Sequence, residues 1–194
     1  MTKSSVDVYD LLRNIRLAWV SGVSADYING LVWAGEFAAT ASFFYHLRRM
    51  YLDYHPSLRM WFEVSVPDVG RLDITISEVL PNFKGHKYDS ASDIEKRDLF
   101  AIELKYATGY EGSDNKPGVK NDIEKLEDLL KKPEFKDILP LIAYIDYDGS
   151  TKEESPCLET ILSRIENGPI GLLYGHPSKT EGWESYNLPI SKDR

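Results

Sequence analysis

Leu99-Phe100-Ala101-Ile102-Glu103-Leu104-Lys105-Tyr106-Ala107 is the stretch that decides how this chain reads. It is a β-rich run with two charges set inside apolar neighbours. On a strand, side chains alternate between faces, so Glu103 and Lys105 share one face. Ile102 and Leu104 then point to the opposite, buried face. A strand that carries an acid and a base two residues apart, yet is otherwise apolar, is a candidate for chemistry as well as for a core.

On its N-terminal side lies Arg71–Val79, RLDITISEV, in which Leu72, Ile74 and Ile76 alternate with Arg71, Asp73 and Thr75. That pattern predicts a strand with one apolar and one polar face, Asp73 on the polar one. Leu58–Val66, LRMWFEVSV, precedes it across Pro67-Asp68-Val69-Gly70, and two β-rich runs joined by such a turn predict a hairpin. The intervening residues 81–98 are polar and turn-rich, and read as a loop or lid insertion.

Further out on the N-terminal side, Leu12, Ile15 and Trp19 in residues 6–20 form the stripe of an amphipathic helix. Gly22 punctuates it, and Ser24 reads as the N-cap of a long second helix from about Ala25 to Asp53. Gly30 and Gly35 mark either close packing or a break within it. His55-Pro56-Ser57 ends it, because a proline pushes the preceding residue out of the α region.

On the C-terminal side, the polar stretch 108–118 leads to residues 119–132, where Ile123, Leu126, Leu129 and Leu130 make a helix stripe. Residues 138–147, ILPLIAYIDY, read as a buried strand. Residues 156–166 form a short helix with Pro156 in its first turn, and residues 168–176 another buried strand. The tail from Pro177 is polar and gives no assignment. The expected order, ααβββαβαβ, is an α/β fold: a mixed central sheet flanked by helices. Nothing linker-like divides the chain, so residues 1–194 are expected to form one domain.

Composition bounds the function. The 194 residues carry a formal net charge of -8, against a protein that coats nucleic acid through Lys and Arg. An enzyme whose basic groups line one groove remains compatible with that balance, and carboxylates that hold a cation add negative charge of their own. The single cysteine, Cys157, has no partner for a disulfide or a zinc cage and reads as a packing or surface residue. No run of about 18 apolar residues predicts a membrane span. Acids occupy the N-terminal stretch where a secretory signal is apolar, so a cytoplasmic location is expected. There is no Gly-rich phosphate loop, no G-x-S-x-G elbow and no H-E-x-x-H zinc motif.

Asp73, Glu103 and Lys105 on neighbouring strands are the groups that metal-assisted phosphodiester hydrolysis requires. Mg²⁺ takes hard oxygen ligands and keeps several waters, so two carboxylates and a carbonyl suffice to hold it. An ammonium beside it orients water and stabilises developing charge. Glu36 lies in the otherwise apolar helix WAGEFAATASFF, where a buried carboxylate is costly unless paired or near a metal; an exposed position on the helix's polar side is the other possibility.

These residues resemble the PD-(D/E)XK nuclease superfamily, the restriction-endonuclease-like fold, through Asp73 in GRLDITI and Glu103-Leu104-Lys105 in FAIELKY. The resemblance covers residues 25 to 147. Leu72 stands where the family pattern has a proline, and the Asp-to-Glu separation is long because of residues 81–98. The resemblance implies a nuclease that hydrolyses DNA with Mg²⁺ or Mn²⁺, of restriction, repair or defence type. Asp73 and Glu103 would bind the metal, Lys105 would act on the attacking water, and Glu36 would match the family's helical acid. In the later helix Asp122 and Lys125 resemble a position used near the phosphate, and Lys120 and Lys125 are the expected substrate contacts. A homodimer is implied in the same way. The alternative is a catalytically inactive subunit of the same fold that serves as a protein- or nucleic-acid-interaction module.

Overall fold

The computed structural model describes residues 6–30, 35–79, 96–107, 118–146, 156–176 and 182–188. It is an α/β fold built on one six-stranded mixed sheet in the order β1-β2-β3-β4-β5-β6. Strand β2 (Gly70–Val79) runs antiparallel to both its neighbours, β1 (Leu58–Val66) and β3 (Lys96–Ala107). Strands β3, β4 (Leu139–Asp146) and β5 (Gly171–Gly175) are parallel, and β6 (Glu184–Tyr186) returns antiparallel to β5. Of the polar stretch read as a loop, Lys96–Asp98 already belong to β3; residues 81–95 and 108–117 lie outside the described residues.

Helix α1 (Val8–Leu17) begins where Asp7 accepts hydrogen bonds from the amides of Tyr9 and Asp10, satisfying two orphan donors of its first turn. Gly22 does not end this helical run as its sequence suggests. The chain continues through a π-helical segment, Ala18–Val23, into α2 (Ser24–Ile28). A Cβ on Gly22 would come within 2.4 Å of the His46 ring, so this glycine permits close helix contact and marks no break. Ser24 is likewise no N-cap: its backbone is helical, and its hydroxyl donates back to the Val20 carbonyl at 2.7 Å. The break falls later, at Gly30 and Gly35, whose φ values of 67° and 94° suit glycine. The predicted long second helix is therefore two, α2 and α3 (Glu36–Met50), and α3 ends before the His-Pro-Ser signal.

Helix α4 (Gly118–Leu130) forms as its apolar stripe predicts, and α5 (Pro156–Ile165) forms with Pro156 at its start, as expected. Two apolar clusters cover the two faces of the sheet. One joins Leu11, Ile15, Trp19, Phe43 and Leu47 to Ile74, Ile76, Ile102 and Leu104. The other joins Ile123, Leu126, Leu129, Ile161 and Ile165 to Leu72, Ala101, Ile142 and Leu172. Both faces are thus buried, which is why β4 and β5 read as unbroken apolar runs. Among the described residues no helix is long and apolar enough to cross a membrane.

Candidate active site

The sheet departs from regularity at Asp73. Leu72 and Ile74 are two apart and should share a face, yet Leu72 packs in the α4/α5 cluster while Ile74 and Ile76 pack in the α1/α3 cluster. The simple alternation predicted for β2 fails here. The β1–β2 pairing passes from Phe62–Ile74 to Val64–Leu72 and skips Glu63 and Asp73. Glu63 sits at φ 56°, a left-handed conformation that a non-glycine residue rarely adopts inside a strand. On the other edge, β2–β3 pairing runs only from Val79–Lys96 to Ile74–Ile102. Beyond it, the Asp73 Oδ2 accepts from the Leu104 amide at 2.9 Å. A carboxylate thus takes the place of a ladder carbonyl, and the strands part around it.

Glu103 lies on the α4 side of β3, only 1% exposed, and the face predicted to be polar is covered by helix α4. Its Oε2 accepts from the Lys125 ammonium at 2.6 Å, and Lys125 also donates to the Arg71 carbonyl at 3.0 Å. Asp122, three residues earlier on α4, stands 3.7 Å from the same ammonium. Among the described residues, Glu103 Oε1 is buried without a hydrogen-bond partner. A buried oxygen of this kind carries a desolvation cost that an additional ligand would relieve.

The electrostatics follow from this crowding. Burial, and then the charge of Asp73, pushes the Glu103 carboxyl up to about 8 from an ordinary 4.5, with Lys125 pulling it back. Burial also raises Asp122, against the pull of Lys125 and Lys105 and with a further push from Asp73. For Lys125, burial lowers the value, but the Glu103 hydrogen bond and the charges of Glu103, Asp122 and Asp73 raise it overall. Five groups from β2, β3 and α4 thus interact as one cluster: Asp73, Glu103, Lys105, Asp122 and Lys125.

The sequence-derived candidates are distributed unequally around this cluster. Asp73 and Glu103 are electrostatic neighbours, and half-buried Lys105 acts on Asp122. Lys125 belongs to the cluster as the cation that pairs Glu103. Glu36 is exposed at the start of α3, and shares with Asp73 a cleft of about 400 Å³. Lys120 stands apart: its side chain is 57% exposed and its ammonium lies 3.8 Å from Glu124. Glu63 and the Arg71 carbonyl were not anticipated, since neither backbone conformation nor a main-chain acceptor leaves a compositional signal.

Among the described residues no group of three or more His, Cys, Asp or Glu side chains is arranged to hold a metal ion. The donor chemistry still suits a hard divalent cation: carboxylate oxygens, one of them buried and unpartnered, beside a backbone carbonyl. No family model, curated protein or solved structure matches the chain at a significant level.

Proposed function

We propose that the chain is a metal-dependent phosphodiesterase that hydrolyses nucleic acid, DNA in the first place, with a restriction-endonuclease-like arrangement of its elements. The fold-level support is the succession of helices, an antiparallel three-strand meander, α4 and two further parallel strands. The observation that carries the reading is the buried, unpartnered Oε1 of Glu103 beside the charge of Asp73. Burying a carboxylate oxygen without a partner is costly, and a bound cation would offset that cost.

Asp73 and Glu103 would hold Mg²⁺ or Mn²⁺. When bound, the cation neutralises charge on the scissile phosphate and makes water a better nucleophile. Lys105, two residues beyond Glu103, orients the attacking water and stabilises charge on the phosphoryl oxygens. Lys125 hands its hydrogen bond from Glu103 to a phosphate oxygen, while Asp122 holds its ammonium nearby. Lys120, more exposed on α4, meets the backbone further along. A homodimer would let two such sites address two strands.

The test is a cleavage assay on single-stranded, duplex and branched DNA with Mg²⁺ or Mn²⁺. The expected outcome is metal-dependent cleavage that Glu103→Ala and Lys105→Ala each lower about 10²- to 10³-fold. Undiminished cleavage by either variant overturns the site.

The second reading, a non-catalytic interaction module, is favoured by one observation: the Lys125 ammonium already sits on Glu103 where a cation would. Its signature is a melting temperature that Mg²⁺ and Mn²⁺ leave unchanged, because a ligand that does not bind the native state cannot stabilise it.

A further inference from the structure

Next to Asp73 lies the cleft of about 400 Å³, whose lining among the described residues includes three phenylalanines and three carboxylates: Phe37, Phe44, Phe62, Glu36, Glu63 and Asp73. Its volume falls within the roughly 300–1,000 Å³ of small-molecule sites. Phe37, on the first turn of α3, is 87% exposed, and Phe62 on β1 is 43% exposed. Phe44 packs edge-on against Phe62 with centroids 5.5 Å apart, which braces one wall. Glu63, the residue in the left-handed conformation, pairs with Arg71 at the rim.

We infer that this cleft receives an unstacked nucleobase of the strand whose phosphate lies at the Asp73–Glu103 cluster, so that the substrate is single-stranded or locally unpaired. The inference rests on the nuclease reading and deepens it by naming the substrate class. A base fits both halves of the lining. Its flat face stacks on phenylalanine rings, and its edge presents N–H donors to carboxylate oxygens. Among the described residues the lining carries no Lys or Arg side chain to attract a phosphate, so the base and not the backbone is the part of the strand that suits it. An apolar side chain from a protein partner would cover those carboxylates without offering hydrogen bonds, at a desolvation cost. A base inside duplex DNA is stacked on both faces and cannot enter without being flipped out.

The test combines one protein variant with one substrate variant. Wild type and Phe37→Ala, a change at a mostly exposed ring, are titrated by fluorescence polarisation in Ca²⁺ with labelled single-stranded and duplex oligonucleotides. An abasic nucleotide is then walked through the position cleaved in Mn²⁺. Stacking predicts that Phe37→Ala weakens single-strand binding about 5- to 150-fold. The abasic site at one position should cost wild type a similar factor, and the two losses should not add. Phe37→Trp should restore binding.

Wild type that cleaves but binds intact and abasic strands equally, or is indifferent to Phe37→Ala, overturns the base cleft and leaves the nuclease reading standing. Wild type that neither binds nor cleaves any nucleic acid overturns both. Light scattering that shows Phe37→Ala converting a dimer to monomer, with strand affinity unchanged, assigns the cleft to a protein contact and overturns the base cleft too.

Discussion

The two faces of the sheet are both buried, yet they are built differently. Under α1 and α3 the core is largely apolar, and its buried hydroxyls are satisfied, Ser24 by the Val20 carbonyl and Ser42 by the Asp26 carboxylate; Trp19 fills the centre with no exposure, touching Phe43 and Trp183, and its indole N–H donates to the Tyr174 carbonyl. Under α4 the same depth holds Glu103 and, beside it, half-buried Asp122 and Lys125, among Leu72, Ala101, Ile123 and Leu126. Burying apolar surface stabilises; burying charge costs unless every partner is present. One face therefore supplies stability, and the other surrenders some of it to keep a charged cluster in place. A residue that weakens its own fold is best explained by what it does.

That contrast gives substitutions with opposite expected signatures. Trp19→Ala should cost about 3–5 kcal/mol of stability in denaturant unfolding, since it opens a large cavity in the apolar face. Activity per folded molecule should stay unchanged. Glu103→Ala or Lys105→Ala should do the reverse, lowering turnover about 10²- to 10³-fold, the range for loss of one electrostatic contributor. Their far-UV spectra should match wild type. If Trp19→Ala instead abolished turnover in the folded protein, the division of labour between the faces would fail.

The double variant Glu103→Leu with Lys125→Met sharpens the comparison by making the second face resemble the first. Replacing both partners of a buried hydrogen bond by apolar side chains of similar shape is commonly near-neutral or stabilising. The double variant should unfold at a denaturant midpoint equal to or above wild type while lacking activity. A midpoint below wild type would mean that the Glu103–Lys125 pair holds the fold together.

The pH dependence is a smaller effect with a definite sign. Because the Glu103 carboxyl is raised from 4.5 to about 8, the folded chain keeps a proton that the unfolded chain has released between those values. Its contribution to stability is complete below about pH 4.5 and is lost as pH climbs through about 8. Asp122, also raised, acts in the same direction. Unfolding curves from pH 5 to 8 should show wild type losing stability relative to Glu103→Gln, which does not titrate. Parallel curves would contradict the raised carboxyl. Smallest of all, Lys120→Ala should weaken substrate affinity by a few-fold at most and leave melting unchanged, since exposed ion pairs contribute about 0–1 kcal/mol.

Much of the sheet was legible because strand period and helix stripe are local signals. Glu103 and Lys105 could be placed on one face from spacing alone, and Ile123, Leu126 and Leu129 marked the buried side of α4. Three features were not legible. Gly22 reads as a stop by composition, but its role is set by the His46 ring from a distant helix. The short strand β6 lies in a polar tail with no alternating pattern to announce it. The irregularity at Asp73 depends on Glu63 across the ladder and on the Leu104 amide, neither of which periodicity encodes. Residue types at the cluster were therefore visible in the sequence, while the way Lys125 closes on Glu103 required the packing of α4 on β3.

The most direct measurement is a crystal of the wild-type protein soaked in Mn²⁺ and recorded at a wavelength where manganese scatters anomalously. A peak bridging the carboxylates of Asp73 and Glu103, at about 2.1 Å from an oxygen of each and with Lys125 moved off Glu103, is the predicted result. An empty map there, with Lys125 still seated on Glu103 at saturating Mn²⁺, would contradict the claim that these carboxylates converge to bind a cation.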